Sequence, residues 1–495
     1  MSMNVTKARH ACTITPVGLG LLAAAGAVAA LVATYWDDSW HTDKGRDDFA
    51  IPPHLLLYGG VLLASLSVAA WGLLAWRSAG WGVAGVRQVL RDPALLLAGI
   101  GGVTTLASAP VDNFWHAAYG RDAVLWSPPH LTAVVGTLAL SVGLLAGLRR
   151  AGGRGGGTAR LLAAAGVIGT LQVLVLEYDS DVPQFSTLWF LPVAALGLCT
   201  AAALLDDLLP GRWAPAKAAL LYTALRAGTV ALLAALGFSL TAVPPVLPLF
   251  LITGLLASRR LALRLVMLGA LSPLMWWPFL QVQAEVTTTV SASQLPASVL
   301  LGAAAGLFVA LVHGDLRIGR SRAAVTRAAA VLAVVALALG GTPEPAWAHD
   351  PGQGEQVREG QLSVARSGDT AELSMILTHS CDGILPVRTV ARRAGQIRSG
   401  SLEAADTTSG ACALTGTVGG LGSGRWFVYA ELQDADGQAL EAWLPAAADT
   451  TVTEVRPLYA PPATASSAAQ IAVGGGLLLV VLGLLVACLR LARRA

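Results

Sequence analysis

The sequence predicts an α-helical polytopic membrane protein, with about 12 transmembrane helices, that carries an exported all-β domain of the immunoglobulin-like sandwich type. Three observations point there. Of 495 residues, 55% are hydrophobic and only 13% charged, where a soluble domain carries roughly a quarter charged residues. Apolar runs of about the length a bilayer requires recur along the chain. Residues 350–457 break that pattern and become polar, with short alternating stretches.

The apolar runs lie at 17–35, 54–76, 93–110, 130–148, 160–177, 187–205, 221–242, 244–258, 262–280, 296–313, 323–342 and 469–490. Pro244 and Pro245 alone separate the seventh from the eighth. Lys and Arg in short loops stay on the cytoplasmic side. Arg77, Arg87 and Arg91 follow the second run, Arg149, Arg150, Arg154 and Arg160 the fourth, and Arg212 and Lys217 the sixth. Arg259, Arg260 and Arg264 follow the eighth, and Arg317, Arg320, Arg322 and Arg327 the tenth. Lys7 and Arg9 near the start and Arg490, Arg493 and Arg494 near the end agree. The expectation is a multi-pass protein of the plasma membrane with both termini cytoplasmic and residues 36–53, 111–128 and 343–468 exoplasmic. The formal charge of +3 is then a sign of topology, and the expected partner is the lipid bilayer, not nucleic acid. No Gly-x-x-x-x-Gly-Lys-[Ser/Thr] loop is present, so no nucleotide is expected. Four segments follow: two tandem helix hairpins (1–148), further membrane helices (149–342), the exported β domain (343–460), and a linker with a C-terminal anchor (461–495).

The two hairpins carry the same motif in their outer loops. The first copy is Asp37, Trp40, His41, Gly45, Arg46, Asp47, Pro52, Pro53, His54, Leu55; the second is Asp112, Trp115, His116, Gly120, Arg121, Asp122, Pro128, Pro129, His130, Leu131. Four of the eight histidines sit here. Asp and His four apart share a helix face, and the second His opens the next helix. Two imidazoles with a carboxylate form a common shell for a catalytic or transport metal. Asp37, His41, His54, Asp112, His116 and His130 are therefore the expected ligands, with Arg46, Asp47, Arg121 and Asp122 as an outer shell that orients the imidazoles. A competing reading uses the same residues only to anchor helix ends or to pair with arginine, since a duplicated hairpin copies its anchors too. A third hairpin retains carboxylates in Glu177-Tyr178-Asp179-Ser180-Asp181 but no histidine; it can still supply a wall or an outer acceptor.

In the β region, residues 371–377 and 426–432 alternate, and the second stretch runs through Asp436-Gly437 into 439–444, a hairpin signal. About seven such strands in roughly 100 residues suit an immunoglobulin-like sandwich. Cys381 and Cys412 are the only cysteine pair in this region, and an oxidising compartment predicts a disulfide between them. Cys12, Cys199 and Cys488 lie in or beside apolar runs, where a thiol serves as a small apolar residue. After Arg327 the apolar run covers only 328–341, short for a crossing, and it ends at Ala346-Trp347-Ala348-His349, the small-x-small form of a leader cleavage site. A cut after Ala348 leaves His349 as a new terminus whose amine and imidazole can hold one copper ion. An uncut helix followed by an Ala-rich linker fits the same residues.

Over residues 37–131 the pattern resembles the C subunit of the copper membrane monooxygenases, the particulate methane and ammonia monooxygenase family. In that family an Asp, a His four residues on and a second His about thirteen further bind copper near the exoplasmic face. Asp37, His41 and His54 match that spacing, and Asp112, His116 and His130 match it with one extra residue. The Trp40-His41, Arg46-Asp47 and Pro52-Pro53-His54 context is similar as well. The exported domain is loosely similar to that family's B subunit or to a CopC-type copper-binding sandwich. The resemblance implies copper as cofactor, with zinc and iron left open by the donor set, and other membrane subunits or a copper donor or acceptor protein as partners. It implies a copper-dependent monooxygenase-like subunit. The chain departs from the family in its doubled motif and in lacking an evident His-x-His in the C-terminal domain or an A-subunit-like segment. Two other functions use the same sequence: a copper-handling protein for import, delivery or oxidase assembly, which needs the ligands but no substrate pocket, and a structural partner of a membrane complex, which needs neither. Whether the chain is an enzyme, and by which catalytic residues, stays open at this level.

Overall fold

A computed structural model describes residues 15–44, 50–119, 125–183, 185–313, 355–378, 381, 383–393, 396–405, 412–435, 437, 439–460 and 467–494. Among them, ten helices are long and apolar enough to cross a membrane. The first part of the chain builds α1 (Val17–Lys44), α2 (Pro52–Ser78), the short α3 (Val83–Leu90), α4 (Pro93–Tyr119) and α5 (Pro128–Leu148). There follow α6 (Gly153–Gln172), which continues through a tight turn into α7 (Leu176–Asp179), then α8 (Phe190–Leu208), α9 (Ala214–Leu236), α10 (Val246–Leu255), α11 (Leu261–Val282) and α12 (Leu295–His313). The last helix, α13 (Ser467–Arg494), follows the β region.

Two of the twelve expected crossings are not among these ten. The run at 323–342 lies outside the described residues, together with the cleavage site and His349. The run at 244–258 forms only the ten-residue α10, about 15 Å of helix against a hydrocarbon core of about 30 Å. Hydropathy alone could not separate the two cases, because prolines interrupt an otherwise uniform apolar run. The Nε of Arg212 donates to the carbonyl of Gly254 at 2.8 Å, so α10 returns to the foot of α9 and the alternation of basic loops survives. The extended stretch before α10 has its backbone satisfied by protein: Ala242 N donates to the carbonyl of Asp179 at 2.8 Å and Val243 N to Oε1 of Gln283 at 2.8 Å. Irregular backbone inside a helix bundle is tolerable on that condition.

α1 packs on α2 through Gly26 against Gly60, and α4 on α5 through Gly101 against Gly136. A Cβ at any of the four would meet the facing backbone, so these helices approach as only small residues allow. The glycine pairs are offset from one another by 75 and 76 positions, as are Asp37 and His54 from Asp112 and His130.

The β region consists of β1 (Glu355–Ser367), β2 (Thr370–Leu377), β3 (Ile384–Arg393), β4 (Gln396–Ala405), β5 (Ala413–Val418), β6 (Trp426–Asp434), β7 (Ala439–Ala446) and β8 (Thr451–Ala460). They form one closed antiparallel sheet in the order β1-β2-β5-β4-β3-β6-β7-β8, with β8 returning to β1 from Ala365↔Thr451 to Glu355↔Ala460. The seam is thin at β7–β8, where Glu441↔Tyr459 is the paired position. The expected exported all-β domain is thus an antiparallel sheet of eight strands that closes into a barrel. Strand β2 is buried at alternate positions, as a half-exposed strand should be, whereas β6 and β7 are buried on both faces. Their inner face carries Val428, Ala430, Ala442 and Leu444 into the barrel core. Their outer face carries Phe427, Tyr429 and Trp443 onto Val182 of the helix bundle. The expected β6–β7 hairpin is present, with Gly437 at φ 79° and its N donating to the Asp434 carbonyl. So is the disulfide: Cys381 and Cys412 are bonded, their Cα atoms 4.7 Å apart.

Candidate metal centre

Local chain chemistry aims the first motif. Helix α1 continues past its apolar portion, so Asp37 and His41 fall one turn apart on the same face. Pro52 and Pro53 open α2, where a missing N–H costs nothing, and His54 follows in its first turn, facing back toward the end of α1. Oδ1 of Asp37 lies 3.4 Å from Nε2 of His41 and 3.1 Å from Nε2 of His54. The candidate ligand atoms of all three residues lie within 4.8 Å of one another. Around a tetrahedral ion with bonds of about 2.0–2.2 Å, ligand atoms stand roughly 3.4 Å apart, so small rotamer adjustments close the site. Among the described residues this is the one group of three such side chains that converges. The donor set, two imidazoles and one carboxylate, fits copper, zinc or iron and leaves a position open for an exogenous ligand.

The second motif is partly visible. Ser127 caps α5 by accepting from His130 N at 3.4 Å, ahead of Pro128 and Pro129. Nε2 of His130 then reaches Oδ1 of Asp112 at 3.3 Å. His116 stands on α4 four residues beyond Asp112, but its side chain lies outside the described residues, as do Arg46, Asp47, Arg121 and Asp122. The tryptophans of the motif are packing residues: Trp40 lies against Phe238, ring centroids 5.5 Å apart, and Trp115 is buried beside Gly474 of α13.

Both motifs face one cavity of about 420 Å³. Asp37, His41 and His54 line it together with Asp112 and His130, and Leu31, Leu57, Val61, Leu106, Val134 and Val173 make much of the rest. Pro110 interrupts α4 at this wall, where it cannot donate to the Leu106 carbonyl. The third hairpin supplies a wall through Glu177, whose Oε1 accepts from Leu125 N at 2.9 Å.

Three features escaped the sequence reading. Arg226 and Asp179 form an ion pair of 3.5 Å with both side chains 0% exposed, and Arg226 Cζ sits 3.5 Å from the centroid of the Tyr35 ring. This pair lies beside Asp38, a cavity residue next to Asp37. The signal was present, since Arg226 is the lone charge inside the run 221–242 and ionisable residues in such runs are functional by default. The second feature is the dock between barrel and bundle. Asp181, at φ 53°, accepts from Arg393 Nη2 at 2.6 Å, Arg425 N at 3.0 Å and Thr288 Oγ1 at 3.3 Å. Arg456 Nη2 donates to the Asp43 carbonyl at 2.8 Å. The third is Trp443 of β7, which lines the cavity itself. Asp181 belongs to the third hairpin's carboxylates, which the sequence marks, but its barrel partners are not legible there, and nothing local marks Trp443 as a cavity residue.

No family model matches this chain, and no curated protein matches it. Among solved structures, the crystal structure of the S-layer protein rSbsC(31-844) is matched at 13% identity with a TM-score of 0.13, over 87% of this chain and 45% of that one. A TM-score of that size relates neither the helices nor the barrel to that structure.

Proposed function

We propose that the chain is a multi-pass membrane protein that holds copper at Asp37, His41 and His54 on the exoplasmic side and acts as a copper-dependent monooxygenase-like subunit on a small apolar substrate. The carrying observation is the convergence of the two Asp/His motifs on one largely apolar cavity. The family resemblance of the motif spacing supports copper over the other metals that the donors accept. The ten apolar helices and the arginines of alternate loops support the membrane placement. The contacts of Arg456 with Asp43 and of Arg393 with Asp181 support a barrel on the same side as the motifs. The strand crossover from β2 to β3, which passes β5 and β4 in the sheet, is of the Greek-key kind, and we read the barrel as related to immunoglobulin-like and CopC-type domains.

Bound copper supplies redox chemistry toward dioxygen. On this reading Asp37 would bring a negative charge to the cation, His41 and His54 would offer imidazole nitrogens, and the largely apolar walls would suit an apolar molecule. Asp112 and His130 offer a second pair of donors to the same space.

Copper handling without catalysis is the second reading, favoured by that same second pair, since a cavity with two sets of donors suits transfer. Metal analysis of the purified chain tests both. Copper should be retained by the wild type and lost in His41→Ala and in His54→Ala; equal copper in all three would overturn the site. Reductant-dependent dioxygen consumption that rises with an apolar substrate belongs to the enzyme reading alone.

A further inference from the structure

The outer face of β6 and β7 is aromatic where a solvated barrel would be polar. Phe427, Tyr429 and Trp443 add nothing to the barrel's interior, which is filled by Leu414, Trp426, Val428 and Leu444. They cluster with Val390 of β3 and with Val182 of the helix bundle, so the barrel is seated on the helices through this patch. Trp443 goes further: it is 4% exposed and, among the described residues, the one barrel side chain that lines the cavity. Its indole is held in place on several sides. Phe427 meets it edge-on at 5.3 Å, Tyr429 lies at 6.1 Å, and the Arg456 guanidinium covers it at 5.1 Å. Arg456 is itself tied to the Asp43 carbonyl, two residues past His41. Asp43 in turn accepts from Ser239 N at 2.6 Å, which joins the last turn of α1, the stretch before α10 and the barrel at one point. The Asp181 latch clamps β3 and the start of β6 to the other side of the same seat.

We infer that Trp443 governs aqueous entry to the cavity, which makes the barrel a structural part of the site. Trp443 is the barrel's part of the cavity wall that His41 also lines, so on this inference solutes arriving from the barrel side pass the indole to reach the donors. A smaller residue opens that path without touching a donor atom or the Asp181 latch.

The test needs no metal, so it stands or falls apart from the copper reading. Thr34 lines the cavity seven residues before His41, about 10 Å deeper along the helix. A Thr34→Cys chain in lipid nanodiscs is treated with a sulfonated, water-soluble maleimide, and the labelling of the parent chain is subtracted. Protection of a cavity thiol scales with the closed population, so Trp443→Ala should raise the labelling rate by about tenfold or more and Trp443→Phe should leave it within about twofold. Trp443→Leu keeps an apolar group in the aromatic cluster and serves as a second opening variant if the alanine form folds poorly. Rates that stay at the wild-type value in every folded variant would overturn the inference and place the aqueous route elsewhere in the cavity wall.

Discussion

Replacing Arg226 with Met strands the Asp179 carboxylate inside the helix bundle, because both partners are 0% exposed and stand 3.5 Å apart. At an effective dielectric of about 20, two unit charges at that distance attract by roughly 5 kcal/mol. The loss of the cation–π contact with Tyr35, at 3.5 Å from the ring centroid, adds about 2 kcal/mol for a desolvated pair. The stranded acid relieves part of the penalty by taking up a proton. The expected net cost is therefore about 3–5 kcal/mol, the range found when one partner of a buried pair is removed. Asp179→Leu alone should cost a similar amount, since it strands the guanidinium, while the Asp179 carbonyl still accepts from Ala242 N. The double variant Arg226→Met/Asp179→Leu removes both charges of the pair and should recover at least about half of the loss. Unfolding midpoints of the four chains in one detergent close the cycle. A coupling energy below about 1 kcal/mol would refute the reasoning. It would mean that Arg226 is compensated elsewhere, with Asp38 the next carboxylate within its field.

Three further outcomes follow from the fold. The Cys381–Cys412 bond spans 31 residues, worth about 3–4 kcal/mol by loop entropy, so Cys381→Ser/Cys412→Ser should lower the denaturant midpoint of the barrel read by tryptophan fluorescence; an unchanged midpoint contradicts this. Asp181→Ala removes the acceptor of Arg393, Arg425 N and Thr288 and should weaken docking by about 2–3 kcal/mol, seen as faster hydrogen exchange in β3 and β6 with the barrel itself intact. Thr417 is exposed on β5, and Thr417→Cys should react with an impermeant maleimide added to intact cells, whereas Gly211→Cys beside Arg212 should react only after permeabilisation; the reverse pattern inverts the topology.

What could be read from the sequence, and what could not, divides by the range of the contacts involved. Asp37 and His41 are one helical turn apart and His54 sits on a helix start written by Pro52 and Pro53, so the spacing already contains the geometry. The β6–β7 hairpin is similar, since Gly437 supplies its turn and the alternation supplies its faces. Barrel closure is different: the pairing of Gly360 with Arg456 joins strands at opposite ends of the domain, and alternation looks the same in a sandwich. Arg393 meets Asp181 across 212 positions; the carboxylate is visible in its loop, but no local pattern names Arg393 as its partner. Arg226 was open to detection, but arginines weighed as markers of loops draw attention away from one inside an apolar run. The residues found early are those that a single turn or hairpin orients; those found only in the structure join one element to another. Asp37, His41 and His54 can therefore come together as soon as α1 and α2 pair through Gly26 and Gly60. The cavity in front of them is finished only when α4, α5 and the barrel have added Asp112, His130 and Trp443.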